Sequence, residues 1–294
     1  MAGSIRACAM TELTGLWLDA WRHLRRDRAA LAAAAVVALV AIASIVGPAL
    51  SPYSYDQLDW SQVAAAPSFE HGHWLGTDRL GRDLFVRTLL GARVSLLIGL
   101  LATLVSVVIG VAWGAIAGYL GGRTDEAMMR FVDVLYALPY IFVVIILTTV
   151  FDRGNVYVLF LAIGAVGWLT MARIVRGQTL SLRHREFVEA AVTAGLRTPA
   201  ILVKHIVPNL IGPVVVYATL TIPQMMLYES FLSFLGLGVQ EPLASLGNLV
   251  NQGSREMETA VWMLLVPAGV LVTLLLCFNV IGDGLRDALD PRES

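Results

Sequence analysis

The side chains that most often perform catalysis or bind metal ions are few in this 294-residue chain. None of the five histidines belongs to an H-E-x-x-H pattern, and the single lysine, Lys204, follows no glycine-rich loop that would cradle nucleotide phosphates. His71 and His73 are near neighbours and could attract a metal ion, but we favour the interpretation that they are solvated loop residues. A G-x-S-x-G pattern is also absent. We therefore expect no catalytic residue, no metal site and no ATP site in this chain.

Charged residues concentrate in one short stretch, REFVEAAVTAGLRTPAILVKHIVPN, at residues 185–209. The pattern predicts one helix over Ser181–Ala194, which ends because Gly195 adopts the left-handed conformation cheaply. A second helix is expected to start with Thr198 as its cap and Pro199 at its first position. Pro208 should end that second helix. The chemistry that such a stretch offers is docking rather than catalysis.

The composition shows what surrounds this stretch. The chain is 57% hydrophobic and 15% charged, whereas soluble domains have about 45–50% apolar and about 25% charged residues. The net charge of −1 gives no reason to expect a nucleic-acid partner. The sequence therefore predicts an all-α, polytopic membrane protein that contacts membrane lipid.

Six apolar runs are long enough to cross a bilayer, which takes about 20 residues. The predicted spans are Ala29–Leu50, Ser95–Tyr119, Phe131–Phe151, Val156–Ile174, Leu210–Leu235 and Val261–Ile281. Prolines in several spans predict kinks where helices contact each other. The first run could instead belong to a cleaved signal peptide, but it is too long for a typical signal-peptide apolar region. We therefore interpret it as a membrane helix.

The distribution of positive charge predicts the orientation. With the N-terminus inside, fifteen of the 21 Lys and Arg residues lie in inside segments and six lie outside, as the positive-inside rule requires. The N- and C-termini are thus expected in the cytoplasm. Four of the six exceptions fall within residues 79–93. Residues 78–93 mix Arg82 and Arg87 with Leu84 and Phe85, so this amphipathic piece is expected to lie in the outer interface, as an anchor or as a platform for a partner.

These spans divide the chain into segments. Residues 1–28 form a predicted cytoplasmic tail, 29–50 the first membrane helix, and 51–92 an extracytoplasmic loop with the amphipathic piece. Residues 93–282 form a core of five membrane helices, and 283–294 form a cytoplasmic tail. The charged loop at 181–209, which we call the elbow, lies in the core between spans four and five. It could simply be a basic loop on lipid headgroups, but its spacing of Glu-Ala-Ala, Gly and Pro argues against that.

That spacing, Glu189-Ala190-Ala191, then Gly195, then Pro208, resembles the EAA loop of permease subunits in ABC importers. His73–Leu100, the stretch from Glu229 and the stretch from Phe278 are similar to the dipeptide, oligopeptide and nickel branch of that family. The resemblance implies that the elbow carries a coupling helix for ATP-binding subunits. The implied coupling residues are Glu189, Ala190, Ala191, Gly195, Leu196, Arg197 and Pro208.

The resemblance also implies the partners. They are a second, homologous permease, two ATP-binding subunits or one fused ATPase, and an extracytoplasmic substrate-binding protein, all at a bacterial plasma membrane. ATP and Mg²⁺ would be bound by the partner subunits and no cofactor by this chain. The implied cargo is di- or oligopeptides, with nickel complexes or another small solute as the alternative. A stand-alone secondary transporter would show inverted repeats and midplane charges, and neither is clear here. A membrane-embedded enzyme would need clustered catalytic residues at membrane depth, and the sequence shows none.

Some polar and small residues inside the spans have two open interpretations. Glu229 faces the translocation path or an outer gate, or it is hydrated or bonded to a neighbouring helix end. Gln224, Met225 and Met226 are candidate path residues, although methionines at helical spacing often serve packing alone. The repeat of Gly110, Gly114 and Gly118 permits close helix contact, either inside the subunit or with a partner permease.

Overall fold

The structure is a computed structural model that describes His23 and residues 25–70, 72–151 and 155–289. Ten α-helices lie in these ranges, and we number them in chain order. They are α1 (Arg28–Leu50), α2 (Leu84–Leu120), α3 (Gly122–Ala137), α4 (Tyr140–Phe151), α5 (Val156–Leu182), α6 (Glu186–Thr193), α7 (Thr198–Ile201), α8 (Val207–Phe234), α9 (Leu246–Arg255) and α10 (Trp262–Leu289). A π-helical turn, Leu202–Ile206, joins α7 to α8.

Polar side chains begin the long helices where the sequence turns from loop to apolar run. The Asp27 carboxylate accepts hydrogen bonds from the N–H groups of Ala29 and Ala30 at the start of α1. Asp83 accepts from the Val86 N–H at the start of α2, at 2.9 Å. These carboxylates satisfy amide groups that have no partner within the helix. The second span therefore begins at Leu84, eleven residues before the predicted start at Ser95.

Five helices of the described part are long and apolar enough to cross a membrane, or six if α3 and α4 count as one bent span. The third predicted span is thus not continuous, because α3 and α4 meet at Pro139 with a bend of 84°. At about 1.5 Å per residue, the 12 residues of α4 reach about 18 Å, short of a hydrocarbon core of about 30 Å. Pro213 and Pro223, by contrast, lie inside an α8 that continues through both.

The most extensive helix packing joins α2 to α5, and the predicted glycine repeat lies in it. A Cβ added at Gly114 would meet the backbone oxygen of Ala172, and one at Gly118 would lie 2.8 Å from the backbone oxygen of Arg176. These glycines therefore let two membrane helices touch backbone to backbone. The sequence left open whether this repeat contacts a helix of the same subunit or of a partner permease, and the structure shows packing inside the subunit.

Substitution of Gly114 by leucine should therefore destabilise the subunit strongly. The new side chain would force α2 away from the α5 backbone, and we expect a loss of stability of about 3 kcal/mol or more, at the upper end for overpacked sites. Gly177→Leu is the matched control, because no atom lies within 4 Å of a Cβ there. The thermal midpoint of the purified protein in detergent measures both. Equal midpoints for the two variants would contradict this packing account.

The helices leave two distinct ends. The elbow lies at one end, where α5 finishes and α8 begins. The other end, which we call the loop end, comprises residues 51–83 and 235–261. It includes the short helix α9 and the connections into α2 and α10. The candidate functional residues divide between these two ends and the membrane segments that join them.

Candidate coupling elbow and buried polar clusters

The elbow contains a short helix that is terminated as the sequence predicts. Just after α6, Gly195 has φ +77°, and its N–H donates to the Val192 carbonyl at 2.9 Å. The Leu196 N–H donates to the Ala191 carbonyl at 3.2 Å. This pair of bonds is the Schellman arrangement, in which a left-handed residue lets the chain satisfy the last helical carbonyls. Gly195 therefore turns the chain sharply without loss of backbone hydrogen bonds.

The two faces of α6 differ in burial. Val188 and Ala191 are buried in an apolar cluster with residues of α2, α5 and α8, and Leu196 packs against it. The opposite face is exposed and carries Glu189 and Ala190. Phe187 and Val192 are also exposed, at 36% and 54%. A short helix is thus fixed on the bundle by one face while a small, mixed apolar and acidic face remains open.

Three details of the elbow differ from the sequence prediction. Ser181–Ala194 is not one helix, because α5 ends at Leu182 and α6 begins at Glu186. Arg197 rather than Thr198 precedes α7, and no side chain caps that helix. Pro208 does not end the segment, because α7, the π turn and α8 form one continuous helix of 37 residues from Thr198 to Phe234.

The π turn explains how the helix continues past Pro208. A proline lacks the N–H donor, and in a regular helix its ring would clash with the carbonyl four residues earlier. Here the Val207 N–H donates to Leu202, five residues back, so the helix is locally wider just before Pro208. The elbow is therefore connected to the loop end by an unbroken helix.

The predicted coupling residues are grouped in space, but not all are accessible. Glu189, Ala190, Gly195 and Arg197 are exposed, Leu196 and Pro208 are half-buried, and Ala191 is only 7% exposed. The Glu-Ala-Ala triplet thus divides into two outward residues and one inward residue. The coupling role of these residues stays a prediction.

Glu229 lies inside the subunit and is fully buried. Its carboxylate accepts hydrogen bonds from Ser95 on α2 at 2.8 Å and from Ser233 at 2.6 Å. The Ser95 hydroxyl also accepts from the N–H of Leu246, at the start of α9. This geometry fits the alternative in which Glu229 is bonded near a neighbouring helix end. A role in a path or gate stays a prediction.

The other candidate path residues point in different directions along α8. Met225 is 2% exposed and Met226 is fully buried, each within an apolar cluster. Gln224 is exposed. In this structure the two methionines serve packing, and Gln224 alone of the three presents its side chain at the surface.

At the loop end His73 is not a solvated residue, and that interpretation was wrong. His73 is 4% exposed, its Nδ1 lies 2.9 Å from the Asp83 carboxylate, and its ring stacks on Tyr53 at 4.3 Å. His71 lies outside the described residues. Within the described ranges no group of three or more His, Cys, Asp or Glu is placed to hold a metal ion.

The same end contains a cluster that the sequence did not predict. Asp78 is 1% exposed and lies 2.7 Å from the Arg82 guanidinium and 3.4 Å from that of Arg87. Glu241 lies 3.0 Å from Arg82. The hydrogen bond from Arg82 lowers the pKa of the Glu241 carboxyl below its ordinary value, against a smaller opposing effect of partial burial. We call these four residues the arginine clamp.

The arginine clamp corrects the interpretation of residues 78–93 as an amphipathic piece in the outer interface. Arg87 and Leu84 are buried at 0% and 1%, because they pack inside the loop end. The sequence did contain one sign of this burial, because the arginines of this piece violate the positive-inside rule. Arginines on the unfavoured side are expected where carboxylates neutralise them, but the distant Glu241 could not be identified from local sequence.

Comparisons with known proteins agree with this architecture. The family model described as binding-protein-dependent transport system inner membrane component matches residues 110–294. A second model, the N-terminal TM domain of oligopeptide transport permease C, matches residues 15–67.

Similar proteins cover nearly the whole chain. The oligopeptide transport system permease protein OppC of Escherichia coli is 54% identical over 95% of this chain and 92% of its own. OppC of Haemophilus influenzae is 51% identical over 95% and 89%. The dipeptide transport system permease protein DppC of Bacillus subtilis is 44% identical over 93% and 85%.

A solved structure shows the same fold. A chain of the MetNI methionine ABC transporter, in inward-facing conformations, matches with a TM-score of 0.56. It is 19% identical, and the match covers 70% of this chain and 96% of that chain. With a family model matched over residues 110–294 and relatives above 50% identity, the chain belongs to the family of binding-protein-dependent transport system inner membrane components.

Proposed function

We propose that this chain is a permease subunit of an ATP-driven importer of di- or oligopeptides, and that its elbow docks onto ATP-binding subunits. The observation that carries the proposal is the exposed face of α6, held rigidly by its buried face. The peptide cargo follows from the names of relatives that share about half of the sequence. No ATP is hydrolysed by this chain in the proposal. Two ATP-binding subunits, or one fused ATPase, supply ATP and Mg²⁺.

Coupling requires that motion at the elbow reach the far side of the membrane. The continuous helix Thr198–Phe234 is about 55 Å long at 1.5 Å per residue. Its start packs with α6 through Ile201 and Ile206, and its last turns are bonded to α2 by Glu229 and Ser95. A rigid-body displacement of a docked ATPase would therefore tilt this helix and reach the loop end.

The orientation and the remaining partners complete the proposal. The elbow and both termini face the cytoplasm, because fifteen of the 21 basic residues then lie inside. The loop end faces outward, where a substrate-binding protein delivers cargo. A second, homologous permease provides the other half of the path. The ATP-binding subunits must favour different positions of the elbow in the inward-facing and outward-facing states of the path. A ligand shifts an equilibrium only by its differential affinity for the two states.

Adjacent alanines provide the test. Cysteine at Ala190 should crosslink to an ATP-binding subunit in native membranes with a short thiol-reactive bifunctional reagent, because Ala190 is exposed on α6. Cysteine at Ala191 is the matched control and should crosslink poorly, since Ala191 is 7% exposed. Adducts of Ala190→Cys with lipid alone, and none with an ATPase, would refute the proposed docking.

A further inference from the structure

The break in the third span lies where an irregular backbone must be covered. Between Ala137 and Tyr140 the helix is interrupted, and α3 and α4 diverge by 84°. At membrane depth a non-helical backbone is tolerated only where protein covers it or water reaches it. Leu138 and Pro139 are both exposed, so this subunit alone does not cover the break. The break must therefore face a partner or an aqueous path.

Beside the break lies a tyrosine whose hydroxyl is unsatisfied. The ring of Tyr140 packs on the ring of Tyr228 of α8, with centroids 4.1 Å apart. The Tyr140 hydroxyl oxygen is buried and has no hydrogen-bond partner among the described residues. A buried tyrosine hydroxyl usually finds a partner, and leaving one unpaired costs free energy. Such an orphan makes Tyr140 a candidate to bond a group that lies outside the described residues.

Other groups able to bond a peptide lie on the helices beside the break. Gln224 lies one turn before Tyr228 on the same face of α8, and its amide is exposed. Tyr136, at the last turn of α3, is 50% exposed. Arg173 covers its ring at 4.3 Å and is paired with Asp133 at 2.8 Å. The charges here are thus neutralised. The Tyr136 hydroxyl lies 3.4 Å from that of Thr170, so the Tyr140 hydroxyl and the Gln224 amide are the groups that remain for a ligand.

We propose that Tyr136, Tyr140, Gln224 and Tyr228, which we call the tyrosine cluster, contact the peptide cargo as it crosses the membrane. This inference rests on the proposed function and adds to it the cargo-contact surface of this subunit. Aromatic faces accept side chains of varied shape, and the amide and phenols bond the peptide main chain, which all peptides share. The bend at Pro139 lets Tyr140 move so that its hydroxyl pairs with the cargo. Glu229, Met225 and Met226 are buried and are not counted in this cluster.

The Tyr140→Phe variant separates this role from a structural one. Removal of an unsatisfied buried hydroxyl should raise the thermal midpoint of the resting complex, because the penalty for the unpaired group disappears. Peptide uptake by proteoliposomes holding the full complex with its binding protein should fall about tenfold, as expected for one lost hydrogen bond to the cargo. A purely structural tyrosine would lose stability and activity together. Tyr157→Phe, on a tyrosine that is 72% exposed, should change neither.

Photocrosslinking tests contact directly. p-Benzoylphenylalanine at position 224 should form an adduct with a radiolabelled tripeptide during ATP-driven uptake. The same probe in place of Leu276, which is 60% exposed on α10, should form none. Adducts at position 224 with lipid or the second permease alone, or full uptake by Tyr140→Phe, would each overturn the inference. Wild-type complex that imports no peptide would instead refute the proposed function.

Discussion

Replacement of Glu189 by lysine should abolish peptide uptake while leaving the subunit folded and inserted. The Glu189 side chain is exposed on α6, so reversal of its charge costs the subunit only the weak helix-dipole interaction of the first turn, about 0.3–1 kcal/mol. Loss of one partner of a charge pair that is buried on docking costs about 2–5 kcal/mol. ATPase binding should therefore weaken at least about thirtyfold. Co-purification of the ATP-binding subunits and uptake in proteoliposomes measure both effects.

A charge reversal at the same end of the molecule provides the control. Glu126 is exposed near the start of α3 and lies outside the elbow. Glu126→Lys should leave both ATPase binding and uptake within about twofold of wild type, as is usual for surface substitutions that touch no partner. If Glu189→Lys retains full substrate-stimulated ATP hydrolysis, the elbow does not couple transport to ATP. If both variants lose ATPase binding and uptake alike, the loss reflects the total charge at this end of the molecule rather than a contact made by Glu189.

Asp78→Asn should cause a large loss of stability at the loop end. Asp78 is the one buried carboxylate between two buried arginines, Arg82 and Arg87, and Glu241 is half-exposed. Breaking a buried ion pair by removing one partner costs about 3–5 kcal/mol, because the remaining charge is left uncompensated. The asparagine is nearly the same size, so packing is preserved. The thermal midpoint in detergent should fall steeply.

A second substitution distinguishes the charge effect from local damage. In the double variant Asp78→Asn with Arg87→Met, one guanidinium is removed together with the carboxylate, and Arg82 keeps Glu241 at 3.0 Å. The double variant should therefore be more stable than Asp78→Asn alone, since replacement of buried ion pairs by apolar groups is often tolerated. Strictly additive losses would mean that the two residues are not coupled. The arginine clamp would then not act as a unit.

Much of the architecture followed from local patterns. Apolar runs predicted the membrane helices because a bilayer needs about 20 apolar residues wherever they occur. Gly195 was predicted to end a helix, and the structure confirms it, because a left-handed turn favours a residue without Cβ. The glycine repeat predicted close packing. Each of these inferences depends on residues within one or two turns of each other, so sequence alone sufficed.

Other features depended on neighbours far along the chain. The interruption of the third span, the π turn before Pro208 and the burial of Ala191 were not predictable, because a proline or an alanine allows several outcomes that packing selects. Asp78 and Glu241 are separated by more than 160 residues, as the sequence numbering shows, and so are brought together by folding alone. The arginines that looked like interfacial anchors are buried because that distant carboxylate and Asp78 offset the cost of dehydrating them. Hydropathy identifies which segments enter the membrane, whereas the pairing of buried polar groups depends on three-dimensional contact.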